Sequence, residues 1–148
     1  MAERHVEPHD ARGLAQLLAE AEEAFRQVEE DALADLDLRP WMLRVLDLLA
    51  RDGPQAPSDV ARALRVSQPT VSGWIAEMTG RDLIERLRDE GDGRRATIRL
   101  TEHGASARST GNDRVRRRQL RLASVLDPVV QAEVVAALQR VIAAARAQ

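Results

Sequence analysis

Pro57-Ser58-Asp59-Val60-Ala61-Arg62-Ala63-Leu64-Arg65-Val66-Ser67-Gln68-Pro69-Thr70-Val71-Ser72-Gly73-Trp74-Ile75-Ala76-Glu77-Met78 decides how this chain is read. Val60, Ala61 and Leu64 form the inward face of a short helix, with Ala61 small where a second helix must cross closely. Arg65-Val66 is a tight connection. Ser67 is an N-cap, because its hydroxyl can accept from an orphan amide of the next helix. Val66 before the cap and Val71 after it are spaced for a hydrophobic staple. Val71, Ile75 and Met78 fall at i, i+4 and i+7, which predicts one buried stripe. The opposite face shows Gln68, Pro69, Thr70, Ser72 and Gly73, short or small residues suited to close approach to base edges and phosphates, with the Arg65 cation beside them. Taken alone, the pattern equally describes a solvated helix with a routine cap.

The next segment of the chain shifts the balance. In Leu83-Ile84-Glu85-Arg86-Leu87-Arg88 and in Ala96-Thr97-Ile98-Arg99-Leu100, apolar and polar residues alternate as strands require, cleanly in the second and approximately in the first. Gly91 and Gly93 supply the backbone freedom of a hairpin tip. Arg94 sits where a long cation can enter a minor groove, and Asp92 can hold its guanidinium through a forked ion pair. Arg88 and Arg95 are further cations of this hairpin. Asp89, Glu90 and Asp92 nearly cancel the three arginines, so a solvated charged hairpin is the competing reading. Helix, turn, second helix and hairpin in that order make a winged helix-turn-helix, which sets one helix in a major groove. The fold class is therefore mainly α with a small β-wing, flanked by N- and C-terminal dimerisation helices.

Composition sets the outer limits. A chain of 148 residues with 44% apolar residues can bury one core. With aromatic residues at only 2%, aliphatic packing must carry that core. Residues 1–39 hold four Arg against eleven acids, a net −7; residues 40–104 balance; residues 105–148 hold eight Arg against three acids, a net +5. A chain of net charge −2 is not a non-specific nucleic-acid coat, but it can carry its cations on one face. All 22 cations are arginine, the side chain whose fork matches phosphate. The absence of cysteine excludes disulfides, thiolate metal sites and thiol-based sensing. No uninterrupted apolar run approaches the ~18 residues that span a bilayer, and the acidic start lacks signal-peptide features, so no membrane partner and a cytoplasmic location are expected.

The flanks read as helices. Leu14, Leu17, Leu18, Ala21, Phe25, Val28 and Ala32 recur at three- and four-residue steps from about Asp10 to Ala34, with an acidic outer face. Pro40 starts a second helix that runs to about Arg51 before Gly53 and Pro54. Trp41, Met42, Leu43, Val45, Leu46, Leu48 and Leu49 surround most of it, so it should be central. Thr101 caps a long helix toward Leu126, and Ser109-Thr110-Gly111-Asn112-Asp113, a poor helix former, predicts a kink or frayed turn within it. Asp127-Pro128 opens a final helix, apolar at Val129, Val130, Val134, Val135, Leu138, Val141 and Ile142, too wide a stripe for a surface helix. With the first helix it is expected to build a hydrophobic bundle shared by two chains. The acidic first helix is expected beside the basic run Arg114-Val115-Arg116-Arg117-Arg118-Gln119-Leu120-Arg121; a solvated Arg-rich face is the alternative.

On these residues the chain resembles the MarR family of bacterial winged-helix repressors from Leu38 to Gly104. The resemblance rests on Val60-Ala61-x-x-Leu64-x-Val66-Ser67-x-x-Thr70-Val71-Ser72, Leu83-Ile84-Glu85-Arg86, Asp92-x-Arg94 and Leu100-Thr101-x-x-Gly104, in order over about 67 residues. It implies a homodimer with interlocked terminal helices, a pseudo-palindromic operator in double-stranded DNA, and release by a small, often aromatic or phenolic effector. Gln68, Thr70 and Ser72 would then face the major groove, and Arg94, supported by Asp92, the minor groove. Three departures stand out. Gly73 stands where many relatives carry a basic residue. Asp82 replaces the usual turn glycine, a role Gly80 could take. Trp74 is unusually bulky and either packs or touches DNA. The resemblance divides the chain into a dimerisation helix (1–37), a DNA-binding lobe (38–104) and C-terminal dimerisation helices (105–148).

Other chemistry finds little support. His5, His9 and His103 lack the spacing of a metal site, so neither metal nor cofactor is expected. No Ser-His-Asp grouping, phosphate-cradling loop or carboxylate pair stands out, so no enzyme is expected. Trp41, at the start of the central helix, is a candidate wall of an effector pocket and otherwise plain core. The competing function is a winged helix turned to protein binding, which a near-neutral wing and Gly73 would suit.

Overall fold

The computed structural model describes residues 11–88 and 96–147. The first helix, α1 (Ala11–Leu33), continues through one 3-10 turn (Ala34–Leu36) into Asp37, whose φ of 52° reverses the chain. The acidic outer face of α1 is as expected. Arg26 bridges Glu23 and Glu30 across successive turns and holds the Glu23 carboxyl below its ordinary value. α2 (Pro40–Asp52) starts on its proline and stops at Gly53, where φ is 75°. Met42, Leu43, Val45, Leu46, Leu48 and Leu49 are all buried, so α2 is the central helix its composition predicted.

The helix-turn-helix is α3 (Pro57–Leu64) and α4 (Gln68–Gly80). Arg65 ends α3 in the left-handed conformation, with Val66 N–H donating back to the Ala61 carbonyl at 3.0 Å. α4 ends the same way. Leu83 N–H reaches the Met78 carbonyl at 2.9 Å and Asp82 adopts φ 55°. Asp82 itself therefore performs the turn, and the expectation that Gly80 would take over is corrected. Gly80 is the last residue of α4, and an Asp side chain tolerates the left-handed region better than most.

β1 (Ile84–Arg88) and β2 (Ala96–Leu100) pair antiparallel from Ile84↔Leu100 to Arg88↔Ala96. Glu85 faces Arg99 across the ladder and forms an ion pair at 2.7 Å. Gln55, before α3, adds a bridge with Ile98 through two backbone hydrogen bonds of 2.8 and 3.0 Å, tying the wing base to the helices.

α5 (Glu102–Ala123) is capped by Thr101, whose hydroxyl accepts from Gly104 N–H at 2.9 Å. It runs unbroken through Ser109–Asp113, against the expected kink. Tertiary packing overrides propensity here. Gly111 is buried where a Cβ would lie 2.8 Å from a Leu43 methyl, and Asn112 and Arg108 both donate to Asp47 of α2, at 2.8 and 2.7 Å. As expected, the basic run lies beside the acidic helix: Arg114 pairs with Asp35 at 3.1 Å and Gln119 reaches Glu29 at 3.4 Å.

α6 (Pro128–Arg146) is capped by Asp127, which accepts from Val129 and Val130 N–H. None of its residues is buried. An 18-residue stretch of it has a mean hydropathy of 1.3, so by length and composition it is the one described helix apolar enough to cross a membrane. Gln131, Glu133, Gln139 and Arg140 interrupt its apolar run, so no uninterrupted stretch of spanning length is present in it.

Two glycines of opposite environment check this packing. A Cβ at Gly104 would overlap the Leu83 carbonyl, whereas Gly73 has nothing within 4 Å. Urea unfolding of Gly104→Ala should show a loss near the upper end of overpacking costs, roughly 3 kcal/mol. Gly73→Ala should gain up to about 1 kcal/mol from helix propensity.

Candidate nucleic-acid interface

The proposed reading surface begins at the cap of α4. Ser67 Oγ accepts from Thr70 N–H at 3.3 Å and shares a 2.7 Å hydrogen bond with the Thr70 hydroxyl. One side chain thus satisfies an orphan amide and fixes the rotamer of a neighbour. Behind this edge, Val71, Ile75 and Met78 are at most 1% exposed and enter the common core with Val60 and Ala61. In front, Ser67, Gln68, Pro69, Thr70, Ser72 and Gly73 are all exposed and contiguous. The buried stripe and the polar rim therefore occupy the two sides the sequence assigned to them. Helix N-terminal amides carry a partial positive charge that suits a phosphate. Arg65, exposed at the turn immediately before, adds a full one.

Two contacts that sequence reasoning did not find hold α4 in position, and a third holds the wing. Trp74 stacks on Trp41 of α2, ring centroids 4.7 Å apart and planes 13° from parallel. Of the two roles open to Trp74, it therefore takes packing. Arg81, just beyond α4, forms an ion pair with Asp37 at 2.7 Å and also donates to the Asp37 carbonyl. The same guanidinium lies 3.3 Å from the Met42 sulfur and 3.8 Å from Glu77. Gln55 braces the wing as described above. A basic residue at a helix C-terminus was a visible signal for Arg81. Its partner Asp37, 44 residues away, was not.

The wing residues stand differently. Arg88 closes β1 by backbone pairing with Ala96. Asp92, Arg94 and Arg95, and likewise His5 and His9, lie outside the described residues. His103 is exposed in the first turn of α5. Trp41, besides meeting Trp74, lines a surface cavity of about 310 Å³ with Glu30, Leu38, Arg39 and Pro40.

A capped helix over a buried stripe, a preceding crossing helix and a two-stranded wing define a winged helix-turn-helix protein. Residues 36–95, somewhat under half of the chain, match the model of the MarR family. It is 27% identical over 100 residues to the HTH-type transcriptional repressor NicR of Pseudomonas putida, a match covering 67% of this chain and 63% of that repressor's length. MepR, a transcription regulator of the Staphylococcus aureus multidrug efflux pump MepA, shares the fold at a TM-score of 0.76 and 22% identity, over 88% of this chain and 96% of that one. A mutant MarR from E. coli complexed with operator DNA does so at a TM-score of 0.73 and 19% identity, over 86% and 92%. At these identities the two structures speak for the fold.

The stack is open to direct measurement. In a double-mutant cycle of Trp41→Leu and Trp74→Leu, urea unfolding should give a coupling energy of about 1 kcal/mol. A coupling near zero would mean the two rings act only as separate apolar surface.

Proposed function

We propose that this chain is a dimeric, sequence-specific DNA-binding transcriptional regulator acting as a repressor in the cytoplasm. One observation carries the reading. The N-terminal rim of α4, Gln68, Pro69, Thr70, Ser72 and Gly73, is exposed as a unit while the same helix is anchored from behind by Val71, Ile75 and Met78. Gln68, Thr70 and Ser72 would read base edges, and Ser67 and Arg65 would orient and neutralise phosphate. Arg94, supported by Asp92, would enter the flanking minor groove, with Arg88 and Arg95 on the backbone. The match to NicR, whose name is that of a transcriptional repressor, supports the regulatory role.

The dimer is supported by apolar surface without a partner. Leu14, Leu17 and Phe25 of α1 and Val129, Val134, Val135 and Ile142 of α6 are each more than 40% exposed. Segments 1–37 and 105–148 of two chains would cover this surface between them. Two recognition helices would then enter successive major grooves of a pseudo-palindromic operator about 34 Å apart. A small-molecule effector lodged between the bundle and the reading lobe would favour a spacing that no longer fits, and the Trp41-lined cavity is a candidate position.

Salt dependence separates this reading from a winged helix turned to protein binding. A duplex carrying the chain's own upstream region should be bound with a steep salt dependence. Arg94→Ala should lower the slope of log K against log salt by about one unit, and Arg65→Ala should do the same. Wild-type slopes from both variants would remove these residues from the interface. Sedimentation of Val134→Glu/Ile142→Glu should report a monomer where the parent chain is a dimer.

A further inference from the structure

The basic face of α5 has no role in that reading. Arg114, Arg117, Arg118 and Arg121 stand at i, i+3, i+4 and i+7 and line a cleft of about 360 Å³ against Asp31, Ala32 and Asp35 at the end of α1 and the turn beyond it. Like charges one helical turn apart repel. α5 itself contains only two acids, Glu102 and Asp113. The opposing carboxylates relieve the repulsion only in part. Asp35 pairs with Arg114 at 3.1 Å, while Asp31 accepts from Gln27 at 2.9 Å. Arg117 donates to the backbone carbonyl of Asp113 at 3.2 Å. Among the described residues no carboxylate comes within 4.0 Å of Arg117, Arg118 or Arg121. Four guanidinium groups against two carboxylates leave the cleft at +2.

We propose that this cleft binds a small polyvalent anion, a polyphosphate or polycarboxylate, between α1 and α5. Its volume lies at the lower end of small-ligand sites, ~300–1,000 Å³, and guanidinium forks pair bidentately with phosphate and carboxylate oxygens. The lining contains no aromatic ring and a single apolar side chain, Ala32, so it suits a hydrated multivalent ion and not an aromatic acid. It is also separate from the reading surface. The four arginines lie beyond Gly104, which docks on the wing base at Leu83, by ten to seventeen residues, roughly 15–25 Å of helix. An anion held there would replace arginine–arginine repulsion with a cross-link between the two helices.

The test is calorimetric titration of the full chain, at low ionic strength in chloride, with pyrophosphate and with citrate, and with benzoate as the monovalent aromatic control. Saturable binding of one polyanion per chain is expected, with none for benzoate; which polyanion binds assigns the oxygen chemistry. Arg118→Glu should weaken it at least tenfold, the loss of one charge-assisted contact. Asp35→Asn should tighten it several-fold by releasing Arg114. Arg51→Glu, the same charge change on α2 outside the cleft, should leave it unaltered. The proposal fails if neither polyanion binds saturably, if benzoate binds as well as they do, if Asp35→Asn weakens binding, or if Arg51→Glu and Arg118→Glu weaken it equally.

Discussion

The winged helix-turn-helix and the α1–α5 pair are both positioned against one central helix, α2. α2 buries six of its thirteen residues, and the neighbouring elements make their contacts along it. Trp41 meets the recognition helix, Met42 meets Arg81, Leu43 fills the space that Gly111 leaves, and Asp47 accepts from Arg108 and Asn112. A helix packed on several sides cannot shift alone, because packed interiors leave no voids to move into. The reading lobe on one side and the α1–α5 pair on the other therefore share one reference.

That arrangement bears on how α4 can work. Its N-terminal rim carries small, exposed side chains, while its C-terminal end is tied by Arg81 to Asp37, the residue where the chain turns from α1 toward α2. Asp37 is itself held in the left-handed conformation, a region that Asp tolerates better than most residues with a side chain. Rotation of α1 against α2 would move Asp37 and, through Arg81, the rear of α4. An exposed ion pair adds little stability. This one is braced by a backbone acceptor and a thioether, and its value lies in direction: it couples the end of α4 to the turn that joins α1 to α2.

How much of this was legible beforehand depends on the range of each interaction. Local signals were read well. The Ser67 and Asp127 caps, the Pro40 and Pro128 starts, the stripe at Val71, Ile75 and Met78 and the alternation around Ile98 all act within about seven residues. Misreadings arose where a distant partner outweighed local propensity. Ser109–Asp113 looked like a break because Gly and Asn are weak helix formers. The structure keeps it helical because α2 presses on Gly111 and Asp47 captures Asn112. The turn after α4 was offered to Gly80, yet Asp82 takes it, since the hydrogen bond from Leu83 to Met78 requires the left-handed residue one position before Leu83. The Trp41–Trp74 stack and the Arg81–Asp37 pair link residues 33 and 44 apart, and nothing in a single sequence marks such pairs.

The exposed helix α6 poses a choice between lipid and protein that its own geometry decides. Its average hydropathy would satisfy a membrane span, but averages ignore direction. Val130, Val134, Leu138 and Ile142 recur every four residues, with Val135 and Val141 beside them, so the large side chains form one broad stripe. Glu133 and Arg140 lie on the opposite side. A helix crossing a bilayer meets hydrocarbon all round, and a charged residue near its middle is costly there. A helix packed on protein meets it on one side and keeps its charges in water. The one-sided stripe of α6, and the exposed apolar positions Leu14, Leu17 and Phe25 on α1, are surfaces of the same kind, uncovered by the other described residues and of the sort that marks interaction sites.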